Sequence, residues 1–192
     1  MIDKVTRKSM LIRPSGRSTD FISPSFGYGC LYNCSYCYMK RHKDKGLTVA
    51  TNTGDILTAI NNHAYFTPVD KPNQTHAEYT TYDISCNEDF ALHAKHHQWE
   101  KIFEFFRDHP IAMGSFATKY VNPKLTSFDP QGKVRIRYSL MPQHKSDLHE
   151  PSTSKIFTRS ASCGSPTGIV CQFVGVVPSN SVAILNERPL IS

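Results

Sequence analysis

Residues 27–38 read GYGCLYNCSYCY and contain three of the six cysteines of the chain: Cys30, Cys34 and Cys37. The C-x3-C-x2-C spacing places three thiols within eight residues. Three thiolates on one loop can hold three irons of a cubane [4Fe–4S] cluster and leave the fourth iron free to bind a small molecule. The two glycines of the stretch permit tight backbone turns around such a group. The stretch therefore predicts a metal centre that also binds a ligand.

Zinc is the alternative occupant of this loop. A closed zinc site needs four ligands, and the fourth would have to be a residue such as His42 or Cys86. Cysteine-rich zinc sites usually contain two C-x2-C pairs, and this sequence has no second pair. The iron–sulfur interpretation is therefore favoured, and zinc remains an open alternative.

The composition is that of a folded and moderately basic protein. Of the 192 residues, 39% are hydrophobic and 20% are charged, which excludes disorder over most of the chain. Lys and Arg number 22 against 16 Asp and Glu, and the net charge of +6 is compatible with an anionic partner such as nucleic acid. The sequence has no run of about 18 apolar residues, so no transmembrane helix is expected. The N-terminus lacks the apolar run of a secretory signal, and with the clustered cysteines this predicts a cytoplasmic protein.

Strand-like and helix-like segments alternate along the chain. The strand candidates are residues 20–26, 77–85, 111–119 and 134–140, and the helix candidates are residues 53–65 and 90–106. The first helix candidate carries Ile56, Leu57, Ile60 and Ala64 on one face. Pro24 indicates that the first strand is short or irregular. The alternation predicts an α/β fold with a parallel sheet. A complete (β/α)8 barrel needs roughly 250 residues, so about four βα units predict only a partial TIM-barrel-like core.

The chain divides into three predicted regions. Residues 1–19 are polar and basic and form an N-terminal arm, and residues 20–157 form the core. Residues 158–192 are rich in Ser, Gly and Val and form a tail without helical periodicity. Because this periodicity stops just after a helix entry, we expect a chain that is truncated or frameshifted. Cys163 and Cys171 fall in the tail and have no predicted role.

The cysteine spacing, with Tyr36 directly before the third cysteine, resembles the signature of radical S-adenosylmethionine (SAM) enzymes. The wider chain resembles one branch of these enzymes, the spore photoproduct lyase family, over residues 20–157. Five short segments match this family in the same order. They are residues 34–38 (CSYCY), 83–89 (DISCNED), 116–120 (FATKY), 132–139 (GKVRIRYS) and 150–154 (EPSTS).

The resemblance implies a partial radical SAM barrel with lyase activity and with two cofactors, a [4Fe–4S] cluster and S-adenosylmethionine. In this class the reduced cluster cleaves the cofactor, and the resulting 5′-deoxyadenosyl radical removes a hydrogen atom from the substrate. The family repairs thymine dimer lesions, which implies DNA as substrate and an electron donor such as flavodoxin or ferredoxin as partner. Two alternatives stay open: a radical SAM enzyme with another substrate, and a non-catalytic metal-binding nucleic-acid module or inactive fragment.

The matched positions imply which residues bind the cofactors. The implied cluster ligands are Cys30, Cys34 and Cys37. The implied contacts to S-adenosylmethionine are Tyr38, Lys119 and Ser139. Lys119 suits the carboxylate or ribose of this cofactor as a cationic donor. Glu88 stands where the family usually has a small hydroxyl residue.

Two further residues have implied catalytic roles. Cys86 matches a cysteine that donates a hydrogen atom to the product radical, and Tyr36 matches a tyrosine in the path that returns the radical. Without the resemblance, Cys86 would be interpreted as a small buried hydrophobic residue. His93 and His97 are spaced i, i+4 and could bind a metal on a helix, but the Glu of an H-E-x-x-H motif is missing. We therefore expect them on a solvated helical face.

Overall fold

The structure is a computed structural model that describes residues 2–15, 20–39, 46–67, 78–162, 170–176 and 182–185. The strands are β1 Ile2–Val5, β2 Arg13–Pro14, β3 Phe21–Ile22, β4 Gly27–Tyr28, β5 Leu47–Ala50, β6 Thr80–Asp83, β7 Ala112–Thr118, β8 Val134–Leu140, β9 Val170–Val176 and β10 Val182–Leu185. The helices are α1 Thr53–Phe66, α2 Phe90–His93, α3 Trp99–Asp108, α4 Pro123–Thr126, α5 Gln143–His149 and α6 Ile156–Ala161.

The main sheet has seven strands in the order β10-β9-β8-β7-β6-β3-β2. Its five central strands, β3 and β6 to β9, run parallel, and each outer strand pairs antiparallel with its neighbour. Helices lie between the successive parallel strands along the chain, as in βα units. This arrangement confirms the predicted partial barrel of about four βα units. It also places the carboxyl ends of the parallel strands at one edge of the sheet.

The helices cover the sheet with the apolar faces that their periodicity predicts. Helix α1 buries its predicted face, which consists of Ile56, Leu57, Ile60 and Ala64. Helix α3 buries Phe106 so close to β7 that a Cβ on Gly114 would lie 2.8 Å from the Phe106 ring. A glycine at this position therefore lets helix and strand approach each other.

One face of β8 carries polar and charged side chains, whereas the other face is apolar. Arg135, Arg137 and Ser139 alternate with buried Val, Ile and Tyr residues, so the three share one face of the strand. The Arg135 guanidinium donates to the buried Asp20 carboxylate at 2.5 Å, and Arg137 donates to Asp83 at 2.6 Å. These ion pairs join β8 to the residue before β3 and to the last residue of β6. Ser139, further along β8, lies at the carboxyl edge of the sheet.

A second sheet has three strands in the order β1-β5-β4. The segment predicted as one strand over residues 20–26 is divided into β3 and β4, with Pro24 between them. The N-terminal segment contributes β1, which pairs parallel with β5, and β2, which pairs with β3. The cysteine loop begins directly after β4, so this smaller sheet anchors its first residues.

Regular structure continues after residue 157. Helix α6 extends to Ala161, and β9 pairs with β8 from Arg135 opposite Val170 to Leu140 opposite Gly175. Strand β10 then pairs antiparallel with β9. Cys163 lies outside the described residues. In the part of the chain that is described, no helix is long and apolar enough to cross a membrane.

Candidate active site

A cavity of about 200 Å³ opens at the carboxyl edge of the parallel strands. Its walls come from the cysteine loop, from residues that follow β6, and from the ends of β7 and β8. Ligand sites of parallel α/β sheets lie at this edge because successive strand ends and their loops converge there. The position alone makes this cavity the candidate site.

Seven of the eight side chains predicted from the sequence line this cavity. They are Cys30, Cys34, Cys37, Tyr38, Cys86, Lys119 and Ser139. The exception is Tyr36, which lies beside the cavity and does not line it. Its ring stacks under Lys119 Nζ, at 5.5 Å from the ring centroid, and its hydroxyl donates to Glu150 Oε1.

The three loop cysteines are free thiols, and two of them are held in their neutral form by their surroundings. Burial raises the pKa of Cys30 to about 11 and also raises the pKa of Cys34. A metal must displace these protons, because only the thiolate is a good ligand. A bound cation would supply positive charge that stabilises the thiolates, in addition to the charge of Lys119, which opposes the effect of burial on the pKa of Cys34.

The three-cysteine donor set fits a cubane cluster. Within the described ranges, no three His, Cys, Asp or Glu side chains are grouped so that they could hold one metal ion. In a cubane cluster each cysteine binds a different iron, so the three sulfurs need not converge on one point. His42, the possible fourth zinc ligand, lies outside the described residues, and Cys86 does not complete a metal-ion group with the described side chains.

The second half of the cysteine loop rests on the end of α5. The Ser35 backbone N–H donates to the carbonyl of His149 at 2.8 Å, and the Ser35 hydroxyl lies 2.9 Å from His149 Nδ1. Glu150 then accepts from Tyr36 and lies 3.9 Å from Lys119 Nζ. A buried carboxylate thus connects the loop to the cation that lines the cavity.

Arg159 holds the Glu150 carboxylate in place. Its side chain is fully buried and forms a 3.0 Å ion pair with Glu150 Oε2. It also donates to the Ser139 carbonyl at 2.6 Å and to the Thr153 hydroxyl at 2.6 Å. The guanidinium therefore ties the end of β8, the 150–154 turn and the cysteine loop into one unit, because its planar fork can serve several acceptors at once.

Asp89 organises the opposite wall. Its carboxylate caps α2 by accepting from Leu92 N, and it also accepts from the Thr118 hydroxyl at 2.6 Å and from Lys119 N at 2.9 Å. Burial raises the pKa of Asp89 despite these hydrogen bonds. The two carboxylate oxygens of Asp89 therefore hold Thr118, the last residue of β7, and the backbone of Lys119, which follows it.

Tyr38 and Cys86 meet at the mouth of the cavity. The Tyr38 hydroxyl donates to the Cys86 carbonyl at 2.5 Å. Burial raises the pKa of Tyr38 to about 12, so its hydroxyl remains a donor at neutral pH. This contact fixes the backbone that carries the Cys86 thiol.

Two buried polar atoms at the cavity have no hydrogen-bond partner among the described residues: the Tyr32 hydroxyl and Glu88 Oε1. Buried polar groups in folded proteins are nearly always paired with protein, water or ligand. Unpaired groups on the cavity wall fit a polar occupant. This observation supports S-adenosylmethionine, which carries amino, carboxylate and hydroxyl groups, at this site.

The expectation that His93 and His97 lie on a solvated helical face is wrong. The His93 side chain is fully buried, that of His97 is only 2% exposed, and both contact Glu88 Oε2, at 3.3 and 2.8 Å. They turn inward because Glu88, at the start of this segment, offers a buried acceptor. The sequence signal was the carboxylate five and nine residues earlier, which a search for H-E-x-x-H spacing does not include.

Two other important residues were also missed. Glu150 belongs to one of the five resembling segments but has no predicted role, and Arg159 lies just after residues 20–157, over which the sequence resemblance extends. Both are charged side chains, and charged residues are seldom buried unless they are paired. Their pairing becomes visible only in the folded chain.

A half barrel of parallel strands with a C-x3-C-x2-C loop at its carboxyl edge defines a protein of the radical SAM class. Residues 4–170 match the family described as spore photoproduct lyase. The chain belongs to this family.

Solved structures agree with this assignment at the level of fold. A spore photoproduct lyase complexed with dinucleoside spore photoproduct matches with a TM-score of 0.76 and 22% identity, over 94% of this chain and 52% of that chain. A mutant of spore photoproduct lyase with bound AdoMet and dinucleoside spore photoproduct matches with a TM-score of 0.75 and 22% identity, over 92% of this chain and 51% of that chain. The chain thus spans about half the length of these structures. No curated protein matches it.

Proposed function

We propose that this chain is a radical SAM lyase that cleaves S-adenosylmethionine reductively and repairs thymine dimer lesions of the spore photoproduct type in DNA. The observation that carries the proposal is the convergence of seven predicted side chains on one cavity at the carboxyl edge of the sheet. Family membership and the relatives solved with AdoMet and dinucleoside spore photoproduct support the same cofactor and substrate.

Cys30, Cys34 and Cys37 are the proposed ligands of a [4Fe–4S] cluster. When bound, the reduced cluster supplies the electron that breaks a carbon–sulfur bond of S-adenosylmethionine and generates the 5′-deoxyadenosyl radical. The protein contributes the position of the loop, through the contacts of Ser35 and Tyr36 with the end of α5.

Lys119, Ser139 and Tyr38 are the proposed contacts to S-adenosylmethionine. The Lys119 side chain is 22% exposed and stands 3.9 Å from Glu150, so its ammonium is available to the cavity while its orientation is fixed. An ammonium held this way suits the carboxylate or a ribose oxygen of the cofactor. Ser139 offers a hydroxyl at the end of β8.

Cys86 and Tyr36 are the proposed groups for hydrogen-atom return. Cys86 lines the cavity as a reduced cysteine, and its backbone is held by Tyr38. A thiol S–H bond is weaker than a typical C–H bond, so the thiol can quench a carbon radical of the product. Tyr36 lies on the loop between two cluster ligands and is oriented by Glu150.

The proposed surroundings of the protein follow from its chemistry. The net charge of +6 suits a DNA substrate, and the reductive step needs an electron donor such as flavodoxin or ferredoxin. The reduced state of Cys30, Cys34, Cys37 and Cys86 suits the reducing cytoplasm.

An anaerobic assay tests the proposal. Reconstituted protein is incubated with dithionite, S-adenosylmethionine and dinucleoside spore photoproduct, and the 5′-deoxyadenosine and repaired dinucleotide formed are quantified. We expect both products from the wild type and neither from Cys34→Ala. Cofactor cleavage without repair would indicate a radical SAM enzyme with another substrate, and the absence of both products would contradict the proposal.

A further inference from the structure

A buried carboxylate with two histidines lies behind the first half of the cysteine loop. The Glu88 side chain is 1% exposed, and its Oε2 accepts from His93 Nδ1 at 3.3 Å and from His97 Nε2 at 2.8 Å. Burial would raise the pKa of Glu88, but the hydrogen bonds from both histidines outweigh it and lower that pKa below its usual value. The carboxylate is therefore an acceptor, and both imidazoles must donate to it.

The second nitrogen of His93 contacts the cysteine loop. Leu31 N donates to His93 Nε2 at 3.3 Å, so this nitrogen must be an acceptor without a proton. The His93 ring thus bridges the two groups, with Nδ1 facing Glu88 and Nε2 facing the loop. An imidazole fixed in one tautomer by a carboxylate on one side presents a defined acceptor on the other side.

Two neighbouring contacts anchor the same part of the loop to the same segment. Gly29 N donates to the Asn87 carbonyl at 3.0 Å. Gly27 lies so close to Glu88 that a Cβ at this position would be 2.5 Å from the carboxylate. Residues 27–31 therefore pack on residues 87–93. Cys30 lies between Gly29 and Leu31, whose backbone N–H groups donate these two hydrogen bonds.

We propose that His93, oriented by Glu88, is a positioning residue that fixes the backbone beside Cys30 and so presents this thiol to the cluster. The inference rests on the proposed function, since it assigns Cys30 as a cluster ligand. Leu31 itself is 61% exposed, so apolar packing does little to hold this part of the loop. The second half of the loop is held independently, by His149 and Glu150. Loss of His93 should therefore disturb Cys30 and leave the Cys34 and Cys37 side in place.

The test compares two substitutions of the full chain. In His93→Gln the side-chain amide oxygen can still accept a hydrogen bond from Leu31 N. In His93→Met the side chain has a similar volume but no nitrogen or oxygen that could accept this hydrogen bond. His63→Met is the matched control, because it removes the hydrogen bond between His63, on α1, and Tyr82, on β6. Each protein is measured without iron, by hydrogen exchange of the Leu31 amide, and after anaerobic reconstitution, by iron content and by the EPR signal of the reduced cluster.

We expect the Leu31 amide to exchange roughly tenfold faster in His93→Met than in the wild type, because one net hydrogen bond is lost. We also expect His93→Met to hold less iron and to show an altered cluster signal, with both effects largely reversed in His93→Gln and absent in His63→Met. Faster exchange with an unchanged cluster in His93→Met would overturn the positioning role while leaving the proposed function intact. Wild-type protein that takes up no iron would contradict the proposed function, and with it the role of His93.

Discussion

Replacing Arg159 with methionine leaves the Glu150 carboxylate buried without its main cation. Both side chains are fully buried in the wild type, and the guanidinium also serves Ser139, Thr153 and Ser154 at 2.6 to 2.8 Å. Removing one partner of a buried ion pair typically costs about 3–5 kcal/mol. Lys119, at 3.9 Å from the other carboxylate oxygen, compensates only in part, so we expect a loss of about 3 kcal/mol or more.

Urea unfolding of the cluster-free chain, followed by circular dichroism, measures this loss. For a domain of this size the change corresponds to roughly 6 °C or more in Tm. The double variant Arg159→Met/Glu150→Gln leaves neither charge of this pair in place, so it should be less destabilised than the sum of the two single changes. Arg107→Met, which removes a surface partner of Asp108, is the control and should leave the urea midpoint close to that of the wild type.

An Arg159→Met variant within about 1 kcal/mol of the wild type would refute this reasoning, since the buried carboxylate would then need no cation. Strict additivity in the double variant would refute it as well, because it would show that Arg159 and Glu150 do not interact energetically.

Three other perturbations have defined outcomes. Gly114→Ala places a Cβ 2.8 Å from the Phe106 ring and should cost about 1–3 kcal/mol in urea unfolding; a neutral result would mean that α3 can move away from β7. Cys34→Ala should lose most of the iron bound after reconstitution, measured by metal analysis, and full retention would exclude Cys34 as a ligand. The pKa of Glu88 is lowered in the folded chain, so its ionisation stabilises the fold above pH 4.5, the usual pKa of a glutamate, and this stability is lost as the pH falls through the folded-state pKa. Glu88→Gln should make the free energy of unfolding, measured by urea titration, depend less on pH in this acidic range. An unchanged pH profile would contradict the assigned ionisation.

Much of the fold follows from sequence periodicity. Strand β8 was predicted over residues 134–140, which are its observed bounds, and the predicted face of α1 is the buried one. These predictions hold because period and burial are directly coupled in a strand or helix that covers one core.

The predictions fail where tertiary contacts override local pattern. Residues 90–106 were predicted as one helix, yet they form α2, a 3-10 turn at Ala94–His96 and then α3. The break in the helix allows both His93 and His97 to contact Glu88, and hydrophobic periodicity does not predict this contact. The strand predicted over residues 20–26 is divided at Pro24, which cannot donate to a ladder.

The candidate site was predictable as a set of residues but not as a structure. Cysteine spacing and matched segments named the side chains that line the cavity, because these residues carry the chemistry. The residues that hold them, Glu88, His93, Glu150 and Arg159, are polar groups buried in pairs. Apart from the spacing of Glu88 to His93 and His97, a single sequence gives no signal for such pairs, since each member alone predicts a solvent-exposed position.

EPR of the anaerobically reconstituted, dithionite-reduced protein, recorded with and without S-adenosylmethionine, tests the central claim most directly. The account predicts a [4Fe–4S]⁺ signal that changes when S-adenosylmethionine is added, because the iron without a cysteine ligand is open to the cofactor. A protein that holds no cluster, or that holds only zinc, would contradict the account.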